Sequence, residues 1–515
     1  VGSEMCIRDR LQPLHEAGGG PMVRLYTNRP GFFNDIAEEI RLFFPDPEVL
    51  PLEETGPLAP GEGEASVILE LGETWQAHAK AAYMQEGSLR QAEYTYVHPP
   101  VAGNELVQKR YEKRCVKIAM FRALCRLFPE AKLPWGSLTG IRPTRLLREL
   151  VEGEGPEEAK RIMQEEFDVS LDKLRLCAEI NAAQAPVLRE QTPRDLDVYI
   201  GIPFCATRCL YCSFLSQVRG PKTDMAAYLT ALQTDIRMGA ALMREAGYTL
   251  RAMYVGGGTP TVLTRDELAQ VLECALDAYG GYGRELTVEA GRPDTITREK
   301  LTLMRDLGVG RISINPQTMN EKTLVRIGRQ HTPADIRACY AMAREIGFAS
   351  INMDLIAGLP GEGVADMART LEEIQRMAPE NLTVHTLAIK RSSGLKAHLA
   401  EYPLPAPQTV EQMVGMGRLT AARMGLIPYY MYRQKYMRGN LENVGYAKPG
   451  AICLYNVDMM EETTSILAHG AGAMSKRIFG GERRVERIPN PKDIETYIGK
   501  LPAVNQQKRS LFGLE

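Results

Sequence analysis

From residue 195 to residue 387 short apolar runs alternate with stretches of helical spacing. This rhythm restricts the fold more than any other feature of the chain. Apolar runs at 196–202, 252–255, 286–289, 311–314, 350–355 and 382–387 read as strands. Stretches at 223–246, 265–278, 298–307, 320–327, 333–346 and 364–377 read as the helices between them. Such alternation implies βα units around a parallel sheet. Six units predict an α/β fold, an open, TIM-like partial (β/α)6 barrel, with its chemistry at the C-terminal ends of the strands.

Directly after the first of these strands comes Ile-Pro-Phe-Cys205-Ala-Thr-Arg-Cys209-Leu-Tyr-Cys212. Thiolates are the usual ligands of iron–sulfur clusters, and a 4Fe-4S cluster normally takes four of them. A local set of three leaves one iron open to a small molecule. Structural zinc is the competing reading, but it prefers four N or S ligands in paired units, and no second pair follows. The next strand ends in Val255-Gly-Gly-Gly-Thr259-Pro260. Glycines there let backbone approach a ligand without a Cβ in the way. The run is no Walker loop, because no Gly-Lys-Ser/Thr follows. Its weight comes from position, at the same end of the sheet as the cysteines.

The flanks predict further domains. Residues 1–20 read as a non-native or disordered prefix, whose opening Val-Gly-Ser-Glu-Met-Cys resembles spurious translated sequence. Residues 21–130 predict an N-terminal α+β domain, with strands at 22–27, 66–71 and 75–84 and helices at 34–44 and 103–127. A helical connector follows over 131–192, and its turn around Trp135 reads as interdomain packing. The partial barrel spans 193–395, and a C-terminal α+β extension spans 396–515. With 515 residues, 44% hydrophobic and 24% charged, the chain can bury a large core without staples. A net charge of -2 gives no basic field for nucleic acid. No apolar run reaches the ~18 residues of a membrane span, and no secretory signal opens the chain, so a cytoplasmic location is expected. Ten cysteines in this length do not make a disulfide framework.

Together the cysteine loop and the glycine turn resemble the radical S-adenosylmethionine (radical SAM) enzymes. The segments Tyr199-Ile-Gly-Ile-Pro-Phe-Cys, Thr287-Val-Glu-Ala and Met353-Asp-Leu-Ile-Ala-Gly-Leu-Pro narrow this to the oxygen-independent coproporphyrinogen-III oxidase family. Pro134-Trp-Gly-Ser-Leu-Thr-Gly-Ile-Arg-Pro143, Asn443-Val-Gly-Tyr-Ala-Lys-Pro-Gly450 and His469-Gly-Ala-Gly-Ala are similar to its HemZ-type branch. The resemblance implies a 4Fe-4S cluster on Cys205, Cys209 and Cys212, with S-adenosylmethionine on its open iron. It places Gly257, Gly258 and Thr259 by the amino group of that cofactor. It places Tyr199 on the sulfonium side and Tyr211 by the adenine. Glu289, Gln317, Arg329 and Asp354 would hold the methionine and ribose groups, and Ile356 with the backbone of Ala388 would complete the adenosine pocket.

The implied reaction is oxidative decarboxylation of two propionates of coproporphyrinogen III, giving protoporphyrinogen IX. It is started by a 5′-deoxyadenosyl radical, and it calls for an electron donor and acceptor from outside the chain. The tetrapyrrole's carboxylates need cations, for which Arg292, Lys390, Arg391 and Arg433 are candidates. The chain departs from related branches in Ala-Gly-Arg292-Pro-Asp after Glu289. A heme chaperone of the sister branch is the second reading. That branch carries a His-Asn segment where this chain has Cys453-Leu-Tyr455-Asn456.

Overall fold

The computed structural model describes residues 21–44, 47–52, 58–140, 142–214, 216–221, 223–390, 392–434, 437, 440–480 and 484–514. The expected prefix and Arg391 lie outside them. The chain divides into two compact units, one ending at Cys177 and the other beginning at Ala178. The division falls within the helix Leu171–Arg189, inside the expected connector.

The N-terminal unit is a five-stranded sheet ordered Glu48–Pro51, Met22–Thr27, Glu62–Leu71, Trp75–Gln85, Ser88–His98. The first three strands run parallel and the last two continue antiparallel. The helix Glu105–Leu127 packs on this sheet and buries Cys115, Ile118, Phe121 and Leu124. Asn104 caps it by accepting from the Val107 N–H. The strand Ser88–His98 escapes sequence reading because it lies at the sheet edge, its first four residues are exposed, and its covered positions are partly polar. In the turn around Trp135 the indole is fully buried, Ser137 N–H donates to Phe167 O, and Lys173 approaches the ring.

In the second unit six strands lie side by side in chain order, all parallel. They are Asp195–Ile202, Thr249–Gly257, Glu285–Gly291, Arg311–Ile314, Ser350–Ala357 and Asn381–Thr386. Their residues are mostly buried, as in a parallel sheet covered on both faces. The crossover helices have clear local causes. Thr264 with Glu267, and Thr332 with Asp335, form capping boxes at Arg265–Tyr279 and Pro333–Ile346. Both helices stop at left-handed glycines, Gly280 and Gly347.

The C-terminal segment is not a separate appendage to this sheet. Ser465–His469 pairs parallel to the first barrel strand, and Asn443–Ala447 pairs antiparallel to the sixth. With Ile427–Tyr432, Met474–Phe479 and Arg484–Pro489 they extend it to eleven strands. An open partial barrel leaves two edges of unpaired backbone groups, and these strands cover both. The helix Ile494–Leu511 is pinned below them: Lys508 Nζ donates to Asp235 Oδ1 and to Ala468 O, each at 2.7 Å. Among the described residues no helix is long and apolar enough to cross a membrane.

Candidate functional site

The cysteine loop follows the first barrel strand. Cys205 and Cys209 are buried and Cys212 is half-buried. Their charges reach one another: the Cys212 thiol is pushed up to about 11, chiefly by burial, with Cys209 and Cys205 pushing the same way. Among the described residues no three His, Cys, Asp or Glu side chains are drawn together at metal-ligand spacing. The thiols share one loop, and the fold holds that loop by its backbone. Cys212 N–H donates to Cys209 O, Leu210 N–H to Ile327 O, and Arg219 N–H to Cys205 O.

The glycine turn closes over this loop. Gly256 and Gly257 stand opposite Gly201 and Ile202 in parallel register. Gly258 N–H donates to Ile202 O at 2.7 Å, and Thr259 N–H to Phe204 O at 2.8 Å. A Cβ on Gly258 would lie 2.4 Å from Phe204 O and 2.9 Å from Cys205 Sγ. Gly257 also has φ +111°, and its Cβ would lie 2.7 Å from Ile202 O. These glycines are therefore required by the cysteine loop itself, whatever ligand comes near. Thr259 Oγ1 lies 3.5 Å from Cys205 Sγ.

Glu289, near the end of the third strand, accepts from the Tyr254 hydroxyl at 2.6 Å. Burial pushes its carboxyl up from the usual range. Gln317 follows the fourth strand in a left-handed backbone, φ +67°, rare outside glycine. It is clamped there by Gln317 N–H to Asp354 O at 2.9 Å and Ile356 N–H to Gln317 O at 3.0 Å. Strain held in place by its neighbours is a mark of functional positions. Its side-chain Oε1 is buried without a hydrogen-bond partner. Asp354 accepts from Asn352 Nδ2 at 2.7 Å and lies 3.7 Å from His385 Nε2. Burial would push the Asp354 carboxyl up, but His385 and Asn352 outweigh it and hold it below the usual range.

Arg329 is 7% exposed and spends one N–H on Tyr211, Nη2 to the hydroxyl at 2.9 Å. Its Nε and Nη1 are buried without partners. Buried N–H groups of a guanidinium are costly to leave unmade, and they form a fork suited to a carboxylate. Tyr211 packs with Ile356, Ile327 and Leu387 in one apolar cluster. Ala388 bridges to Met437 at the end of the sixth strand. Tyr199 is half-buried in a stack with Tyr254 and Tyr455, at centroid distances of 6.3 Å and 6.1 Å.

Sequence reasoning missed Tyr254, His385 and Asn352. A period-two count back from Gly256 puts Tyr254 on the same strand face, and this was the available signal for it. The four cations expected to meet substrate carboxylates fare unequally. Arg292 is committed to Asp294 and the cysteine loop. Arg433 donates to Asn440 Oδ1 at 2.5 Å. Lys390 is half-buried on the loop after the sixth strand, and Arg391 lies outside the described residues.

A parallel partial barrel with a three-cysteine loop, a glycine turn and polar groups on successive strand ends defines a radical SAM protein. Residues 199–374 match the Radical SAM superfamily. Over 380 residues the chain is 39% identical to the oxygen-independent coproporphyrinogen-III oxidase-like protein HemZ of Bacillus subtilis, covering 73% of this chain and 76% of that one. The chain belongs to this HemZ-like family. It is also 27% identical to the heme chaperone HemW of Escherichia coli over 306 residues, 58% of this chain and 75% of that one. The solved coproporphyrinogen III oxidase (HemN) of Escherichia coli overlays with a TM-score of 0.48 at 24% identity, over 62% of this chain and 73% of that one.

The cofactors of the superfamily are a 4Fe-4S cluster and S-adenosylmethionine, and the residues present fit them. Three thiols share one loop, and the unpartnered Gln317 Oε1 and Arg329 N–H groups supply an acceptor and donors for a polar ligand.

Proposed function

We propose that the chain decarboxylates coproporphyrinogen III oxidatively to protoporphyrinogen IX, without oxygen, in porphyrin biosynthesis. The observation that carries this reading is the 39% identity to a coproporphyrinogen-III oxidase-like protein across most of both chains. Cys205, Cys209 and Cys212 are assigned to the cluster. Bound there with S-adenosylmethionine, the cluster supplies the one-electron cleavage that makes a hydrogen-abstracting radical.

The chain's own residues bind and orient. Arg329 presents its two unpartnered N–H groups to the methionine carboxylate, and Gln317 and Asp354 accept from ribose or amino groups. Glu289 accepts from the cofactor while Tyr254 fixes its carboxyl. Gly257, Gly258 and Thr259 line the amino-group side, Tyr199 the sulfonium side. Tyr211, Ile356 and the Ala388 backbone wall the adenosine. Lys390, Arg391 and Arg433 remain the candidate cations for the propionates. Donor and acceptor of electrons come from outside the chain.

The second reading is a heme chaperone, favoured by 28% identity to HemW of Bacillus subtilis over 294 residues. The segment at Cys453–Asn456 speaks for the decarboxylase. It holds no histidine, Cys453 and Tyr455 are buried, and the Cys453 thiol is bonded to Glu285 at 3.1 Å. Anaerobic reconstitution with iron and sulfide, then S-adenosylmethionine, reductant and coproporphyrinogen III, tests the two. Protoporphyrinogen formation with two 5′-deoxyadenosines per product supports the decarboxylase. Stoichiometric heme binding without turnover supports the chaperone and sinks the first reading.

A further inference from the structure

The third barrel strand is followed by Arg292-Pro293-Asp294, where the short helix Pro293–Thr295 turns back toward the cysteine loop. Arg292 is 4% exposed, and every face of its guanidinium is directed. Nε donates to Asp294 Oδ1 at 3.0 Å and Nη2 to Asp294 Oδ2 at 2.8 Å, a two-point clamp. Nη1 turns the other way. It donates to Thr207 O at 3.0 Å, inside the cysteine loop, and lies 3.7 Å from Cys209 Sγ. Asp294 is also met by His331 Nδ1 at 3.5 Å. Arg292 and His331 together hold its carboxyl well below the usual range against the opposing effect of burial.

The pair is thus oriented. Its cationic end faces a cysteine sulfur and its anionic end faces away, in surroundings where charges are weakly screened. Reducing an iron–sulfur cluster by one electron adds negative charge at its sulfurs. Hydrogen bonds to those sulfurs and nearby cations favour the reduced form, and they are among the protein's main controls on cluster potential. Arg329 is near enough to Cys209 for their charges to interact, but its hydrogen bond goes to Tyr211 and its Nε and Nη1 are without partners. Arg292 is the guanidinium with a hydrogen bond to the loop backbone and an N–H toward a thiol.

We propose that Arg292 is a positioning residue for the cluster. It fixes the Cys209 turn through the Thr207 carbonyl, and, aimed by Asp294, it raises the reduction potential of a cluster on Cys209. This rests on the assignment of the three cysteines as cluster ligands. The step it eases is a one-electron transfer from an external low-potential donor, in which no bond to Arg292 forms or breaks.

The test is an EPR-monitored redox titration of the anaerobically reconstituted full chain, without S-adenosylmethionine, alongside iron and sulfide analysis. Arg292→Gln is expected to lower the reduced-to-oxidised ratio at fixed potential about tenfold, equivalent to about 59 mV for a one-electron couple. Asp294→Asn removes the counter-charge and is expected to move the potential the opposite way. Arg292→Lys keeps the charge and is expected to fall between wild type and Arg292→Gln. A potential unchanged in Arg292→Gln, or both variants moving in one direction, overturns the inference. If Arg292→Gln takes up no cluster, Asp294→Asn decides: a rise supports the inference, and no rise overturns it. Wild-type protein that holds no 4Fe-4S cluster overturns the cysteine assignment itself, a result separate from any shift among variants.

Discussion

Tyr254 hands its phenolic hydrogen bond to Glu289 across adjacent parallel strands, at 2.6 Å, with the tyrosine buried and the carboxylate half-buried. Burial pushes the Glu289 carboxyl up, and Tyr254 opposes that by bonding the charged form. A hydrogen bond to a charged group contributes about 1.5–3 kcal/mol. Tyr254→Phe is therefore expected to weaken S-adenosylmethionine binding roughly tenfold or more, with the cluster retained. Equilibrium dialysis of the reconstituted protein measures it; unchanged affinity would remove Glu289 from the cofactor's contacts.

Gly258 has no room for a side chain. Gly258→Ala would drive a methyl into Phe204 O and Cys205 Sγ, whereas Gly220 has nothing within 4 Å of its Cβ position. Overpacking of this kind costs about 1–3 kcal/mol. Iron and sulfide content per chain is expected to drop sharply for Gly258→Ala and to stay at the wild-type level for Gly220→Ala.

Cys209→Ala removes one of three loop thiols. The variant is expected to fold, with an unchanged far-ultraviolet circular dichroism spectrum, and to lose both cluster absorbance and 5′-deoxyadenosine formation. Activity that survives without Cys209 would show that the cluster is held elsewhere.

In the N-terminal unit, burial pushes the Glu39 carboxyl up to about 7, against the pull of Lys117 at 3.1 Å. Folding thus favours its protonated form. The contribution is fully present below the unfolded value, near 4.5, and is lost as pH rises through about 7. Its full size is about 3 kcal/mol. Both tryptophans of the chain, Trp75 and Trp135, belong to this unit. Urea unfolding followed by tryptophan fluorescence is expected to show stability falling from pH 5 to pH 8, with a shallower fall in Glu39→Gln. Parallel pH profiles for the two proteins would contradict the assignment.

The C-terminal helix is held by buried charge. Asp235 accepts from Lys508 at 2.7 Å and from the Tyr497 hydroxyl at 2.8 Å, and lies 3.2 Å from His469 Nδ1. Removing one partner of a buried pair costs about 3–5 kcal/mol. Lys508→Met is expected to lower the urea midpoint of the unit beginning at Ala178, read by circular dichroism. The paired change Asp235→Asn with Lys508→Met is expected to recover part of the loss.

Much of the barrel was legible because its strands are buried on both faces and read as continuous apolar runs. The helix Val364–Met377, for instance, falls where its periodicity puts it. The edge strand Ser88–His98 was not, since most of its residues are exposed and only the alternate positions from Ala92 to His98 are covered. Nor was the pairing of Ser465–His469 with the first barrel strand, because partners far apart in the chain leave no local signal. Arg292 stood out in the sequence as a departure after Glu289 and was offered to the substrate. Its direction depends on a turn that only folding defines, and that turn aims it at Asp294 and Cys209.

The sequence by itself determined the βα rhythm, the family, and the residue types of the site: three thiols in one loop, glycines on the next strand, carboxylates and amides on later ones. These are local facts of spacing and composition. Only the tertiary structure decided which groups answer one another. It showed that the glycine turn is shaped by the cysteine loop's backbone. It paired Tyr254 with Glu289 and His385 with Asp354, and it left Arg329 with buried N–H groups to give. Parallel strands bring distant residues to one rim, so the contacts that set charge and orientation there come from register and crossover packing, not from neighbours in the chain.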